Sequence, residues 1–387
     1  MATTLIRITT VPMAFKVLIT GQPKFMRDHG FNVVMVSGDG KERNDVVIAE
    51  GCDHVIIPMT RSITPLQDLK CIFMLSKLFR RYKPDIVHTH TPKAGLLGMI
   101  AAKRAGVKIR IHTVAGLPLM AEDGIKKNVL LLTEKLTYSF ATHVWPNSKS
   151  LVNFVLRKKL VQKYKVSMIG HGSSNGIDLH RFSAARLDPH KRAFIKNSVA
   201  DKDGIKILCV GRMVRDKGVE ELINAFTVLQ RLNALQLILV GPFEAELDPL
   251  PPYVLEIIKN NQDIIHISWS DEVEYFMGIA DLLVHPSHRE GFPNAILQAG
   301  AMNLPVICSN IPGNNDIVAD QKTGMLFKPR DHHDLIEKLK YALENMPRMQ
   351  QYAATLYKEV SELYERKIVH ESILHAYNQL LTQYAIE

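Results

Sequence analysis

Short apolar runs, each closed by glycine, proline or a polar pair, recur along the chain and predict strands buried on both faces. In the first half they are Leu5 to Thr9, Phe31 to Ser37, the run from Asp85 to His90, and Val107 to Val114. In the second half they are Ile205 to Val210, Leu235 to Val240, Ile264 to Ile267, Leu282 to His285 and Leu304 to Cys308. Between them lie helical segments: residues 15–29, Pro65 to Tyr82, 124–140, and the stretch from Val219, where Leu222, Ile223, Phe226 and Leu229 share one face. Strand, helix, strand in alternation predicts α/β architecture with parallel sheets. Residues 183–204 are polar and lack clear periodicity, which predicts a linker with a partly helical middle between a first domain over 1–182 and a second over 205–365. The segment around Met325 to Phe327 reads as a hairpin-like end to the second sheet, and a last helix is expected within 366–387.

The stretch from Asp281 to Asp316 is the densest in candidate chemistry. It reads as strand, loop, helix, strand, loop, with Asn294 as the cap of a helix carrying Ala295 to Met302. Glu290 lies in the loop before that helix and Gln298 one turn inside it, so both are expected at the carboxyl edge of a sheet, where open α/β folds bind ligands. A second cluster follows the strand that opens the second half. Gly211, Arg212 and Lys217 surround the start of the next helix, and two cations beside helix amides suit a nucleotide diphosphate.

Composition narrows the classes. With 387 residues, 46% of them hydrophobic, the chain is long enough for two ordinary domains. The start of the chain carries Arg7 and Pro12 within its apolar residues, so neither a leader nor a membrane span is expected. Cys52, Cys71, Cys209 and Cys308 have no paired or metal-ligand spacing, which predicts free thiols in a reducing cytoplasm. His332 and His333 among Asp331 and Asp334 read as a helix start, and no metal site is expected.

The net charge of +9 is unevenly spread. Residues 1–180 hold 26 Lys and Arg against 12 Asp and Glu, and residues 181–387 hold 22 against 27. The basic first half predicts an anionic partner, a membrane surface or a diphosphate-bearing substrate. Nucleic acid is excluded by the lack of a recognition motif or an aromatic-interleaved basic stretch. Within that half, His88 and His90 approach the end of their strand, and His90 is the better candidate of the two. Lys93 and Gly95 start a helix whose amides suit an anion. The basic end of the Pro65 helix suits lipid headgroups or water. The 124–140 helix is expected to turn its apolar side to the core, with a membrane surface as the alternative.

In PSHREGFPN followed by LPVI, in GRMVRDKG and in NGID, the chain resembles the retaining glycosyltransferases of family 4. RITTVP, HTHTPKAGLLG, HTVAGLPL and GSSNGID resemble the bacterial capsule and O-antigen members. The resemblance implies a GT-B fold, two Rossmann-like domains with parallel sheets facing across a cleft. It implies transfer of a hexose or N-acetylhexosamine from a nucleotide sugar, UDP-linked, to a sugar acceptor on a polyprenyl diphosphate, with no cofactor and no metal. Arg212 and Lys217 would neutralise the diphosphate, Glu290 would work at the donor sugar, and Gly211, Gly291, Phe292, Pro293, Asn294 and Gln298 would complete the donor site.

Ser268 and Trp269 stand where relatives hold the base, and Gly313, Asn314 and Asn315 would offer loop amides. The family pairs Glu290 with a second Glu; Gln298 at that position keeps an acceptor oxygen without charge. On the acceptor side the resemblance points to His90, Lys93, His112, Ala115 and Gly116, with Ala115 where members often carry histidine. A peripheral enzyme at the inner face of the cytoplasmic membrane is the expectation. The alternatives are a UDP-sugar 2-epimerase or hydrolase on the same fold, and a non-catalytic nucleotide-sugar-binding protein.

Overall fold

A computed structural model describes residues 3–117, 119, 124–199, 202–244 and 248–386. The chain forms two compact units, one from residues 1–176 together with 367–387, the other from 177–366. Unit 1 holds a six-stranded sheet of β1 (Thr4–Ile8), β2 (Asn32–Ser37), β3 (Asp53–Ile56), β4 (Ile86–Thr89), β5 (Ile109–Val114) and β6 (His143–Pro146), in the order β3-β2-β1-β4-β5-β6. Unit 2 holds β7 (Ile205–Val210), β8 (Leu235–Val240), β9 (Ile264–Ile267), β10 (Leu282–His285), β11 (Val306–Ser309) and β12 (Met325–Phe327), in the order β12-β11-β10-β7-β8-β9. With β7 in the place of β1, the two orders are the same, and every strand pair is parallel.

In such an order the direction of winding reverses between β1 and β4 and between β7 and β10. Loops leaving those strands diverge to opposite faces and open a crevice at the carboxyl ends. Each sheet is covered on both sides, which is why the strands read as unbroken apolar runs: β4, β8, β10 and β11 are buried at every position.

Several boundaries differ from the sequence reading for identifiable reasons. The segment 15–29 is two helices, Pro12–Leu18 and Gln22–Asp28, separated at Gly21, whose left-handed φ of 77° ends continuous helix. The polar segment before β7 has the helical middle expected of it, Pro189–Val199, but that helix packs on the helix Val273–Ile279, so the segment belongs to unit 2 and is no free linker. β12 is no hairpin arm: it extends the sheet in parallel, Ile307 pairing with Met325. Pro293, not Asn294, is the N-cap of the helix Asn294–Ala301. Asp331 caps the helix His332–Glu344 by accepting from the His333 and Asp334 amides.

The last helix, Arg366–Ile386, returns to unit 1. Val369, Ile373 and Tyr377 join Leu5, Phe15 and Trp145 in one core, and Tyr377 stacks on Trp145 at 5.7 Å. All four cysteines are buried and unpaired.

Candidate active site

The unit 2 site sits at the reversal between β7 and β10. Beyond β7 the chain runs through Gly211 and Arg212 into a single 3-10 turn, Arg215–Lys217, then to Gly218, which starts the helix Val219–Leu229. Gly218 has φ 67°, and a side chain there would collide with the Pro286 carbonyl. Glycine thus lets the loop after β7 lie directly on the loop after β10. Polar contacts fasten the two loops: the His288 amide donates to the Asp216 carbonyl (2.8 Å), Arg289 pairs with Asp216 (2.5 Å), and His288 pairs with Glu221 (2.8 Å).

Held between these loops is Glu290. Its Oε1 accepts from Lys217 Nζ at 2.5 Å and from His285 Nε2 at 2.9 Å. Burial alone would raise the carboxyl pKa, but the Lys217 charge and the His285 hydrogen bond outweigh burial and hold it well below the usual range. Glu290 is therefore ionised and can only accept, which places the His285 proton on Nε2. From the other side Gly313, with φ 91°, packs against Glu290 and Gly291, and its amide donates to Asp316 at 3.0 Å. Ser309 Oγ donates to the Ser287 carbonyl and Asn314 Nδ2 to the Ser309 carbonyl, fixing this third loop.

Not every sequence candidate meets here. Arg212 is engaged by Glu244 at 2.6 Å, so an incoming anion would compete with a carboxylate for it. Gly211 has φ 151°, and the space where a Cβ would sit is empty. Gly241 lies against the Gly211 carbonyl and donates its amide to Ile267, which places the exposed Ser268 and Trp269 on the adjoining loop. Gln298 is half-buried one turn into its helix. Phe292 turns away from solvent and packs on Tyr364 at 5.2 Å, a core contact. His285 escaped the sequence reading because it closes an apolar run. A polar residue ending a fully buried parallel strand at the carboxyl edge was the available signal.

In unit 1 the candidate histidines are internal. His90 accepts from Arg7 Nε at 3.0 Å and its ring lies tilted against that of His88 at 4.1 Å; His88 is held by Tyr377 OH (2.6 Å) and Thr113 Oγ1 (2.7 Å). His112 bonds Thr89 Oγ1 at 2.8 Å and fills the space beside Gly95, so the helix Pro92–Arg104 lies over it. Neither His90 nor His112 is therefore presented to solvent. The charge of Lys93 is taken by Asp68 at 2.6 Å, and its ammonium also donates to Thr64 Oγ1 at 3.1 Å. Thr10 and Thr91 close the reversal between β1 and β4 with a 2.7 Å hydroxyl contact. Ala115 and Gly116 are half-buried just past β5.

Burial pushes the His88 and His90 pKa values well down and His112 down to about 3. These rings stay neutral when folded and take up protons when unfolded, so acid opposes folding of unit 1 below the ordinary histidine value of about 6.5. From pH 7.5 to 5.5 three such groups cost about 4 kcal/mol. Glu134, which burial pushes up to about 7 while Tyr138 beside it pulls downward, acts in the opposite sense. It offsets about 2 kcal/mol over the same range, whereas His54 and His143, each pushed down to about 4 mainly by burial, add to the loss, so the net effect of acid is destabilising. Trp145 is buried in unit 1, and Trp269 is the other tryptophan, so Trp145 fluorescence in a Trp269→Phe background reads this transition. A midpoint unchanged or raised at pH 5.5 would refute the assignment of neutral rings.

Comparison with known proteins places this geometry. Residues 7–148 match the model "Glycosyl transferase 4-like", and residues 190–359 match "Glycosyl transferases group 1". The Staphylococcus aureus capsular polysaccharide biosynthesis glycosyltransferase CapM is 33% identical over 369 residues, 95% of this chain and 94% of that protein. An Escherichia coli UDP-Gal:alpha-D-GlcNAc-diphosphoundecaprenol alpha-1,3-galactosyltransferase is 29% identical over 290 residues, 73% of this chain and 72% of that protein. Among solved structures, Anabaena HepE in complex with UDP-glucose superposes with a TM-score of 0.81 at 16% identity, covering 97% of this chain and 99% of that one. A Rickettsia africae glycosyltransferase gives 0.78 at 19% identity, covering 98% of this chain and 99% of that one. With two parallel sheets in the same winding order and both family models matched in succession, the chain belongs to the family-4 type of group 1 glycosyl transferases, on the GT-B fold.

Proposed function

We propose that this glycosyltransferase is a retaining, metal-independent enzyme of capsule or O-antigen assembly. It moves a hexose or N-acetylhexosamine from a UDP-sugar held by unit 2 to a polyprenyl-diphosphate-linked sugar held by unit 1. The observation that carries the reading is the ionised Glu290, clamped by Lys217 and His285 at the winding reversal of unit 2. Lys217 and Arg212 supply positive charge for the diphosphate, and Glu290 supplies negative charge for the sugar. Gly211 leaves room for the phosphates, Gly291, Pro293, Asn294 and Gln298 border the sugar and ribose, and Ser268 and Trp269 meet the base. On the acceptor side the candidates are the half-buried Ala115 and Gly116 with His90, Lys93 and His112, of which Lys93 is paired with Asp68 and His90 keeps Nδ1 without a partner among the described residues.

In the proposed step the bond from the anomeric carbon to the β-phosphate oxygen breaks as the acceptor oxygen bonds to the same face. The acceptor proton passes to the departing phosphate oxygen, so no separate base is required. Two cations stabilise the leaving diphosphate where other sugar transferases use a metal. The names of the two relatives above, one of capsule synthesis and one acting on a diphosphoundecaprenol acceptor, support the lipid-linked acceptor, and the basic first half of the chain supports contact with an anionic membrane at its cytoplasmic face.

The test is a melting screen against UDP, GDP, ADP and CMP with and without EDTA. A UDP-selective rise unaffected by EDTA is expected, about 2.7 kcal/mol of stabilisation at a hundredfold excess over Kd. A rise that EDTA removes would overturn metal independence, and one with GDP alone would overturn the donor.

A further inference from the structure

The helix Gly124–Phe140 is apolar on two sides, with Leu130, Leu131, Tyr138 and Phe140 packed on the unit 1 core. Glu134, Thr137 and Tyr138 are buried on its inner side, while Ile125, Val129, Leu132 and Leu136 stand exposed on the outer side, spaced four, three and four residues apart. Ile125 is 84% exposed. The apolar side expected against the core is present, and the exposed aliphatic row is a second one. A helix that buries a carboxylic acid and exposes four aliphatic side chains is matched to an apolar surface outside the protein.

The same layer carries a second stripe. On the helix Pro65–Tyr82, Leu66 (88% exposed), Leu69 and Phe73 form an outward row, continued by the exposed Lys70, Lys77, Arg80 and Arg81. Both helices pack against Pro92–Arg104 between them, and all three cover one face of the unit 1 sheet. The middle helix ends in Lys103 and Arg104, whose cations sit over Phe140 at 5.1 Å and Phe73 at 4.8 Å, tying charge to each stripe. In sequence the three helices hold ten lysines and arginines against two acids, Asp68 and Glu134. Asp68 is paired with Lys93 and Glu134 is buried, so the charge this layer shows outward is positive.

We infer that this three-helix face docks on a membrane surface rich in anionic lipid, with the two apolar stripes entering the headgroup region and the cations between them meeting lipid phosphates. Charge decides the occupant. A second copy would bring the same cationic face and be repelled, whereas an anionic bilayer is complementary both to the charge and to the stripes. Among the described residues no helix is long and apolar enough to cross a membrane, so the contact made by these helices is with the surface. The inference rests on the lipid-linked acceptor proposed above and names the face that delivers unit 1 to it.

The experiment is flotation of the full chain with phosphatidylcholine vesicles and with phosphatidylcholine vesicles containing phosphatidylglycerol, at low and high salt. The wild type is expected to float with the anionic vesicles, with partial retention at high salt because the stripes are not screened. The combination Leu66→Ser, Phe73→Ser, Leu132→Ser and Leu136→Ser is expected to lower partitioning at least about tenfold, since all four side chains are exposed and their loss removes apolar burial at the interface. An unchanged melting shift with UDP shows that this variant is folded. Lys70→Glu with Arg81→Glu is expected to remove the preference for phosphatidylglycerol. If the serine variant floats as well as the wild type, this face is overturned while the lipid-linked acceptor stands. If the wild type floats with neither vesicle, both fall. A wild type that is dimeric by light scattering, with a monomeric serine variant, overturns the inference in favour of a second copy.

Discussion

Glu290→Gln is expected to slow sugar transfer by about 10²–10³-fold, the equivalent of ~3–4 kcal/mol of transition-state stabilisation, while leaving UDP binding measurable. Glutamine keeps an oxygen where Lys217 and His285 donate, so the shape of the clamp survives. What disappears is the negative charge. As the glycosidic bond breaks, positive charge grows on the sugar ring, and a neutral amide cannot oppose it. The check is kcat with a UDP-sugar and a lipid-linked acceptor, beside the UDP melting shift. A variant retaining more than about a tenth of the wild-type kcat would remove Glu290 from the role given to it.

Lys217→Met tests the same clamp from the other side and is expected to damage stability as well as rate. Lys217 is the largest influence holding the Glu290 pKa down against burial, and without it the carboxylate keeps only His285 in a site where its side chain is 13% exposed. Breaking such a pair costs about 3 kcal/mol or more, because one charge is left without its partner. Adding Glu290→Gln to Lys217→Met removes the stranded charge, so the double variant is expected to recover at least half of the lost stability while transfer stays below detection. Calorimetry of the four proteins in the cycle reads this. If the double variant is no more stable than Lys217→Met, the two side chains are not coupled as the 2.5 Å contact requires.

How much of this was legible in the sequence follows from which contacts are local. Most strands were legible because parallel strands buried on two faces leave unbroken apolar runs, as in Leu235–Val240 and Leu282–His285, whereas β3, exposed or half-buried at every position, and the four-residue β6 were not. Glu290 and Lys217 were legible as members of motifs, but their contact spans 73 residues and no spacing rule announces it. Lys93 looked available for an anion until folding brought Asp68 against it, 25 residues earlier in the chain. His90 and His112 looked like strand-end ligands; their burial depends on Arg7, Tyr377 and Gly95, which arrive from other elements.

Periodicity announced the helix Gly124–Phe140 and its core-facing side, but not that Ile125, Val129, Leu132 and Leu136 would stay exposed on the other. How much of its apolar surface is covered is decided by the layer it packs in, and a helical wheel has no knowledge of that layer. The helix Arg366–Ile386 posed the same difficulty on a larger scale, since Val369, Ile373 and Tyr377 form a stripe that fits either unit.

That helix also sets an order of events during synthesis. Unit 2 is one uninterrupted segment, residues 177–366, whereas unit 1 lacks Val369, Ile373 and Tyr377 until translation has passed all of unit 2. At about 5–20 residues per second the ribosome takes roughly 10–40 s to cover that distance. The earlier-made half therefore waits, with the surface around Leu5, Phe15 and Trp145 uncovered, while the later-made half can finish first. In the crowded cytosol this interval is when chaperones would engage the nascent chain, and a stop codon before residue 366 would make the interval permanent.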